Sequence, residues 1–123
     1  MIDIWIVLYI ILIHNIADFW CQTKEQAMNK SHNFTKLLDH TIHYSYLMLA
    51  LCIPLFNNVL DLIVFIIVTF ILHTVTDYNT SKLSKKYNDS GKYYGVPGFW
   101  FIISVDQILH YLQLLLMYYV LTL

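Results

Sequence analysis

Four short stretches of this 123-residue chain carry ionisable residues at helical spacing inside apolar runs. "ILIHNIADFWCQ" (11–22) holds His14 and Asp18, four apart. "LLDHTIHYSYL" (37–47) holds His40 and His43, "ILHTVTD" (71–77) holds His73 and Asp77, and "DQILH" (106–110) holds Asp106 and His110. Spacings of three or four put both members on one helix face. Neutral imidazole and carboxylate are the nitrogen and oxygen ligands of Zn²⁺, Mn²⁺, Fe²⁺ and related ions. Facing helices of a bundle can project such pairs inward to build a two-metal site. The expected ligands are therefore His14, Asp18, His40, His43, His73, Asp77, Asp106 and His110. One or two divalent transition-metal ions are expected, Zn²⁺ first and Mn²⁺ or Fe²⁺ as alternatives, with an Asp as a bridge and a position left for water.

The elements that position these residues follow from composition. The chain is 59 % hydrophobic and 12 % charged, which places it with membrane proteins rather than small soluble domains. Runs 4–21, 37–56, 59–78 and 99–121 each have the roughly 18–23 residues that cross a hydrocarbon core of about 30 Å. The first run is preceded by Asp3 and by no Lys or Arg, unlike a cleaved signal peptide. The expected fold is an all-α, four-helix transmembrane bundle forming a single domain over 1–123. All seven Lys (24, 30, 36, 82, 85, 86 and 92) fall in connections 22–36 and 79–98. By the positive-inside rule those loops are cytoplasmic and both termini extracytoplasmic, as in a multi-pass protein of the bacterial inner membrane. Cys21 and Cys52 then lie near opposite membrane faces, too far apart for a disulfide.

This topology also sets depth. The polar pairs fall late in runs one and three and early in runs two and four. In alternating helices all four lie in the cytoplasmic leaflet, within about two turns of one interface at 1.5 Å per residue. The opposite leaflet is nearly all apolar, which argues against a metal-ion transporter. Gln22 extends the His14/Asp18 face and, with Lys30 and Lys82, could contact a substrate. Lys36 is a further basic residue within reach of a phosphate. Gln107 points away from Asp106 and is expected to bond between helices. Asp39 is placed as a helix cap, Glu25 as a solvated residue, and His32 outside the site. Trp20, Trp100 and Tyr78 read as interface anchors.

These stretches resemble the family of small phage and bacterial membrane proteins known as domain of unknown function 3307. Its pattern, H-x-x-A-D-F-x-x-Q-T, a later N-K, L-x-x-H-x-x-x-Y, T-H-x-x-x-D and D-Q-x-x-H, is matched by His14, Asp18, Gln22, Asn29, Lys30, His40, Tyr44, His73, Asp77, Asp106, Gln107 and His110. The chain has Leu72 where the third motif has Thr, and the pattern does not clearly carry His43. The family name implies no activity. A looser similarity, to membrane proteins with His-x-x-x-Asp pairs, implies metal-dependent hydrolysis.

The functional expectation is hydrolysis of a phosphoester in a lipid headgroup or phosphorylated lipid, with a nucleotide as the other substrate. Asp18 or Asp77 would serve as the base. The partners expected are the lipid bilayer and that substrate; no specific nucleic acid is expected, and a homo-oligomer is left open. The alternative is a metal-stabilised, non-enzymatic phage or bacterial membrane protein acting through interactions.

Overall fold

The computed structural model describes residues 3–88 and 97–123, and side chains within 3–86 and 98–123. The central part of the expected second cytoplasmic loop, including Lys92, lies outside the described residues. Among the described residues the chain is all helical, with no strand. Helix α1 spans Ile4–Asn15 and continues into a π-helical turn, Ile16–Trp20. A short helix α2 (Lys24–Asn29) precedes α3 (Phe34–Cys52), which ends in a 3₁₀ turn at Ile53–Leu55. Two long helices follow, α4 (Val59–Asn88) and α5 (Pro97–Leu121).

Polar residues set the helix ends. The Asp3 side chain accepts from the Trp5 N–H to start α1. Thr23 and Gln26 form a reciprocal capping box on α2, so this short helix holds its first turn without a hydrophobic face. Asn33, not Asp39, caps α3 by accepting from the N–H groups of Thr35 and Lys36. Asp39 lies one turn into the helix and accepts instead from Gln26 Nε2 at 2.9 Å. Glu25 is also more than a solvated residue: it pairs with Lys36 across 2.6 Å. That hydrogen bond and its charge raise the Lys36 ammonium above its ordinary value. Lys36 is thereby engaged at the surface, away from the His/Asp pairs.

Helix α1 packs on α3 and α5, and α4 packs on α3 and α5. The register is antiparallel between these partners. Early in α1, Tyr9 Oη donates to the Leu51 carbonyl late in α3, while His14 meets Tyr44 and Asp18 meets His40. Between α4 and α5, Gln113 donates to Thr76, His110 meets Asp77, and Thr80 donates to Asp106. One end of the assembly is an apolar core built on Ile10, Ile13, Met48, Phe65, Leu114 and Tyr118. The His and Asp residues occupy the other end. A helix register thus converts four sequence pairs into one polar layer above one apolar layer.

Among the described residues two helices are long and apolar enough to cross a membrane, Val59–Lys86 and Gly98–Leu121, and Ile4–Trp20 is a shorter apolar helix. Helix α3 is long enough, but Lys36, Asp39, His40 and His43 dilute its hydropathy. Large apolar side chains such as Leu8, Leu12, Ile67, Ile71, Leu112 and Leu116 point outward. The connection after residue 78 differs from expectation. Helix α4 runs on to Asn88, ten residues into the stretch read as the second cytoplasmic loop.

Candidate metal centre

Three of the four pairs, His14/Asp18, His73/Asp77 and Asp106/His110, are carried inward as the spacing predicts, and the first of them with one local device. The hydrogen-bond ladder widens to i→i+5 over Ile16–Trp20, so the Cys21 N–H bonds the Ile16 carbonyl at 3.1 Å. Such π turns inside α-helices recur at functional sites because they re-aim a side chain without breaking the helix. Here the turn carries Asp18 into the interior, where it is buried with His14, His40, His73, Asp77, Asp106 and His110.

The closest set comprises Asp18, His40, His73 and Asp77 from three different elements. His40 Nε2 lies 3.1 Å from Asp18 Oδ1, 3.4 Å from Asp77 Oδ2 and 3.4 Å from His73 Nε2. His73 Nε2 lies 3.7 Å from Asp18 Oδ1 and 3.8 Å from Asp77 Oδ2. Ligands at about 2.0–2.1 Å from a tetrahedral zinc ion stand roughly 3.3–3.4 Å from one another. These five separations bracket that edge, so the donor set fits a tetrahedral cation. A second set, Asp18, Asp106 and His110, shares Asp18 with the first. His110 Nε2 is 3.1 Å from Asp77 Oδ1 and 3.5 Å from Asp106 Oδ2. Asp18 and Asp77 thus each present one oxygen to His40 and the other to the opposite side of the cluster.

A hydrogen-bonded clamp is the simpler reading of so polar a core. Lys30 Nζ donates to Asp77 Oδ2 at 3.0 Å and provides one internal cation. Burial pulls the Lys30 ammonium down, but the nearby Asp77 and Asp18 carboxylates outweigh it and raise its pKa overall. The clamp does not account for two imidazole Nε2 atoms converging on the same two carboxylates. His73 Nδ1 is buried with no hydrogen-bond partner, and neither a clamp nor a cation at Nε2 supplies one.

Surrounding residues orient the cluster. Gln107 Nε2 donates to Asp18 Oδ2 and to Asp106 Oδ2, both at 3.0 Å. Two carboxylates can only accept, which fixes the amide with Oε1 toward His14 Nε2 at 3.1 Å. His14 then donates through Nε2, and its Nδ1 accepts from Tyr44 Oη at 2.8 Å. Tyr44 stacks flat on His73, with ring centroids 3.9 Å apart. Thr80 Oγ1 donates to Asp106 Oδ1 at 2.5 Å.

Of the eight expected ligands, six fall in the two converging sets and two do not. His14 is buried beside the cluster, but both its ring nitrogens are engaged by Gln107 and Tyr44. His43 is turned outward, 61 % exposed, with Nδ1 held by the Asp39 carbonyl at 2.7 Å. Three residues on a helix fall about 60° short of a full turn, and α3 spends its inward face on His40 and Tyr44. Lys82 is exposed and lies over the Tyr78 ring, bonded to its hydroxyl, away from the cluster. Gln22 and Lys30 do reach it, lining a cavity that opens beside Asp18. Spacing alone missed Tyr44 and Thr80, whereas Gln107 makes the interhelical hydrogen bonds expected of it, to Asp18 and His14. The His73/Asp77/Thr80 rhythm of four and three was the available signal for Thr80.

The family described as Protein of unknown function (DUF3307) matches residues 6–123. The chain belongs to that family. This DUF3307 chain has no match among curated proteins or among solved structures. The family match spans all seven residues of the buried His/Asp cluster, so the cluster lies wholly within the DUF3307 region.

Proposed function

We propose that this protein is a membrane-embedded, metal-dependent phosphoester hydrolase. The observation that carries the reading is the near-tetrahedral convergence of Asp18, His40, His73 and Asp77, with Asp18 shared by a second ligand set and bordering an open cavity. Divalent ions bound there would supply Lewis acidity at a phosphoryl oxygen and lower the pKa of a water toward about 7. The chain's own residues would do the rest. With Oδ1 turned to His40 and His73, Asp18 would take the proton of the attacking water on Oδ2 as the water oxygen bonds to phosphorus. The P–O bond to the leaving group breaks, and the leaving oxygen takes a proton from solvent. Asp77, buried and held by His110 and Lys30, is the less accessible of the two candidate bases. Lys30 and Gln22 hold the anion.

The same proposal includes a four-helix transmembrane bundle in a bacterial inner membrane. What supports it is the outward apolar surface, the two spanning-length helices and the Lys residues gathered at the end that holds the cluster. Basic loops at that interface would draw anionic headgroups toward the site. The topology has its own expected result. Thr122→Cys is labelled by an impermeant maleimide on intact cells, and Ser90→Cys only after the membrane is opened. Labelling of Ser90→Cys from outside reverses the orientation.

The activity test incubates metal-loaded protein with phosphatidic acid, a polyprenyl phosphate and a nucleotide panel, with phosphate release as the readout. Metal-dependent release from at least one phosphoester is expected. A wild-type protein that carries metal and releases none refutes the enzyme and favours a metal-stabilised interaction protein.

A further inference from the structure

The cavity beside Asp18 has a volume of about 300 Å³ and two unlike walls. One is polar, with Lys30, Gln22, Ser81 and Ser84. Gln22 Oε1 is buried there with no hydrogen-bond partner, and turning the amide over presents its NH₂ donors to the cavity instead. Ser84 Oγ donates back to the Ser81 carbonyl at 3.0 Å, and the small size of both serines is what keeps the space open. The other wall is apolar and includes Phe19, Trp100 and Ile103. Phe19 and Trp100 are about half exposed, and Trp20 and Phe101 beside them are more so. The floor is Asp18, Asp106 and Gln107, one side of the candidate metal centre.

We infer that this cavity is a headgroup site for a phosphorylated lipid. The phosphate lies between Lys30, Gln22 and the metal centre, and the chain leaves past Phe19 and Trp100 into the bilayer. The inference rests on the hydrolase reading and names its substrate class. The volume is at the small end of the roughly 300–1,000 Å³ typical of small-molecule sites, so a headgroup fits and the rest of the molecule lies outside. What lies outside meets exposed aromatic side chains of the kind that sit at membrane interfaces. A nucleotide would place its sugar and base against that apolar rim.

Decylphosphonate tests this, because its C–P bond resists phosphoester hydrolysis and binding is read apart from turnover. The full chain, in nanodiscs and with its metal content measured, is titrated with decylphosphonate, methylphosphonate and AMP. Saturable binding of decylphosphonate is expected, at least tenfold tighter than either of the others. Ser84→Leu and Ile103→Trp, which fill the cavity from two helices and leave every ligand residue in place, should each weaken it at least tenfold at unchanged metal content. Equal binding of methylphosphonate or AMP overturns the lipid assignment. Decylphosphonate binding that both variants leave intact overturns the cavity. Binding without any turnover of phosphate esters leaves the lipid site standing and removes the hydrolase; turnover without decylphosphonate binding does the reverse.

Discussion

His73→Ala is expected to abolish stoichiometric metal binding, whereas His14→Ala weakens it and leaves a loadable site. The two histidines are equivalent in the sequence, each four residues ahead of an Asp. Their surroundings differ. His73 Nε2 faces Asp18, Asp77 and His40 across 3.4–3.8 Å. His14 spends both nitrogens on Tyr44 and Gln107 and reaches the cluster only by orienting them. Loss of an outer residue of that kind typically costs about 10–100-fold in metal affinity. Loss of a direct ligand from a four-donor set should exceed that range. Competition against a chelating dye measures both. Equal losses in the two variants would contradict the assignment of His14 to the outer layer. His43→Ala is the internal control and should bind as wild type.

Asp18→Asn is expected to lower turnover by about 10²–10⁴-fold, the usual contribution of a positioned general base. The amide keeps the shape of the side chain. Gln107 can still hold one oxygen, and the π turn that presents residue 18 does not depend on its charge. Metal at the tetrahedral set should weaken as well, so rates are compared at saturating metal. Asp77→Asn should act mainly through metal affinity, because Asp77 does not border the cavity. Rates at saturating metal therefore separate the roles: a large loss in Asp18→Asn with a small one in Asp77→Asn supports Asp18 as the base. The opposite order would move that role to Asp77 and the open face of the site with it.

Much of this arrangement was legible before any coordinates. Apolar runs with Asp and His at spacings of three and four announce helices and their inward faces, since both properties are local. A common level was legible too: antiparallel helices put His14, His40, His73 and His110 at one height, and the register of α1, α3, α4 and α5 places them there. What the sequence withheld depends on rotation and on the chain beyond each element. His43 looked like a partner of His40, but the inward face of α3 is taken by Tyr44. Gln107 bonds between helices as expected, to Asp18 and His14, but its reach back to Asp106 depends on the side-chain rotamer and was not legible. The π turn at Ile16–Trp20, which carries Asp18, has no composition signature. Lys30 could be assigned to a loop, but its arrival at Asp77 depends on how α2 folds the connection back over the cluster.

The central claim is that this layer of histidine and aspartate is a metal centre rather than a hydrogen-bonded clamp around Lys30. Elemental analysis of the purified chain, followed by X-ray absorption at the edge of the bound metal, tests it most directly. The expected result is one or two transition-metal ions per chain, with nitrogen and oxygen neighbours at about 2.0–2.2 Å and no sulfur. A folded protein that carries no metal and takes up neither Zn²⁺ nor Mn²⁺ would contradict the account.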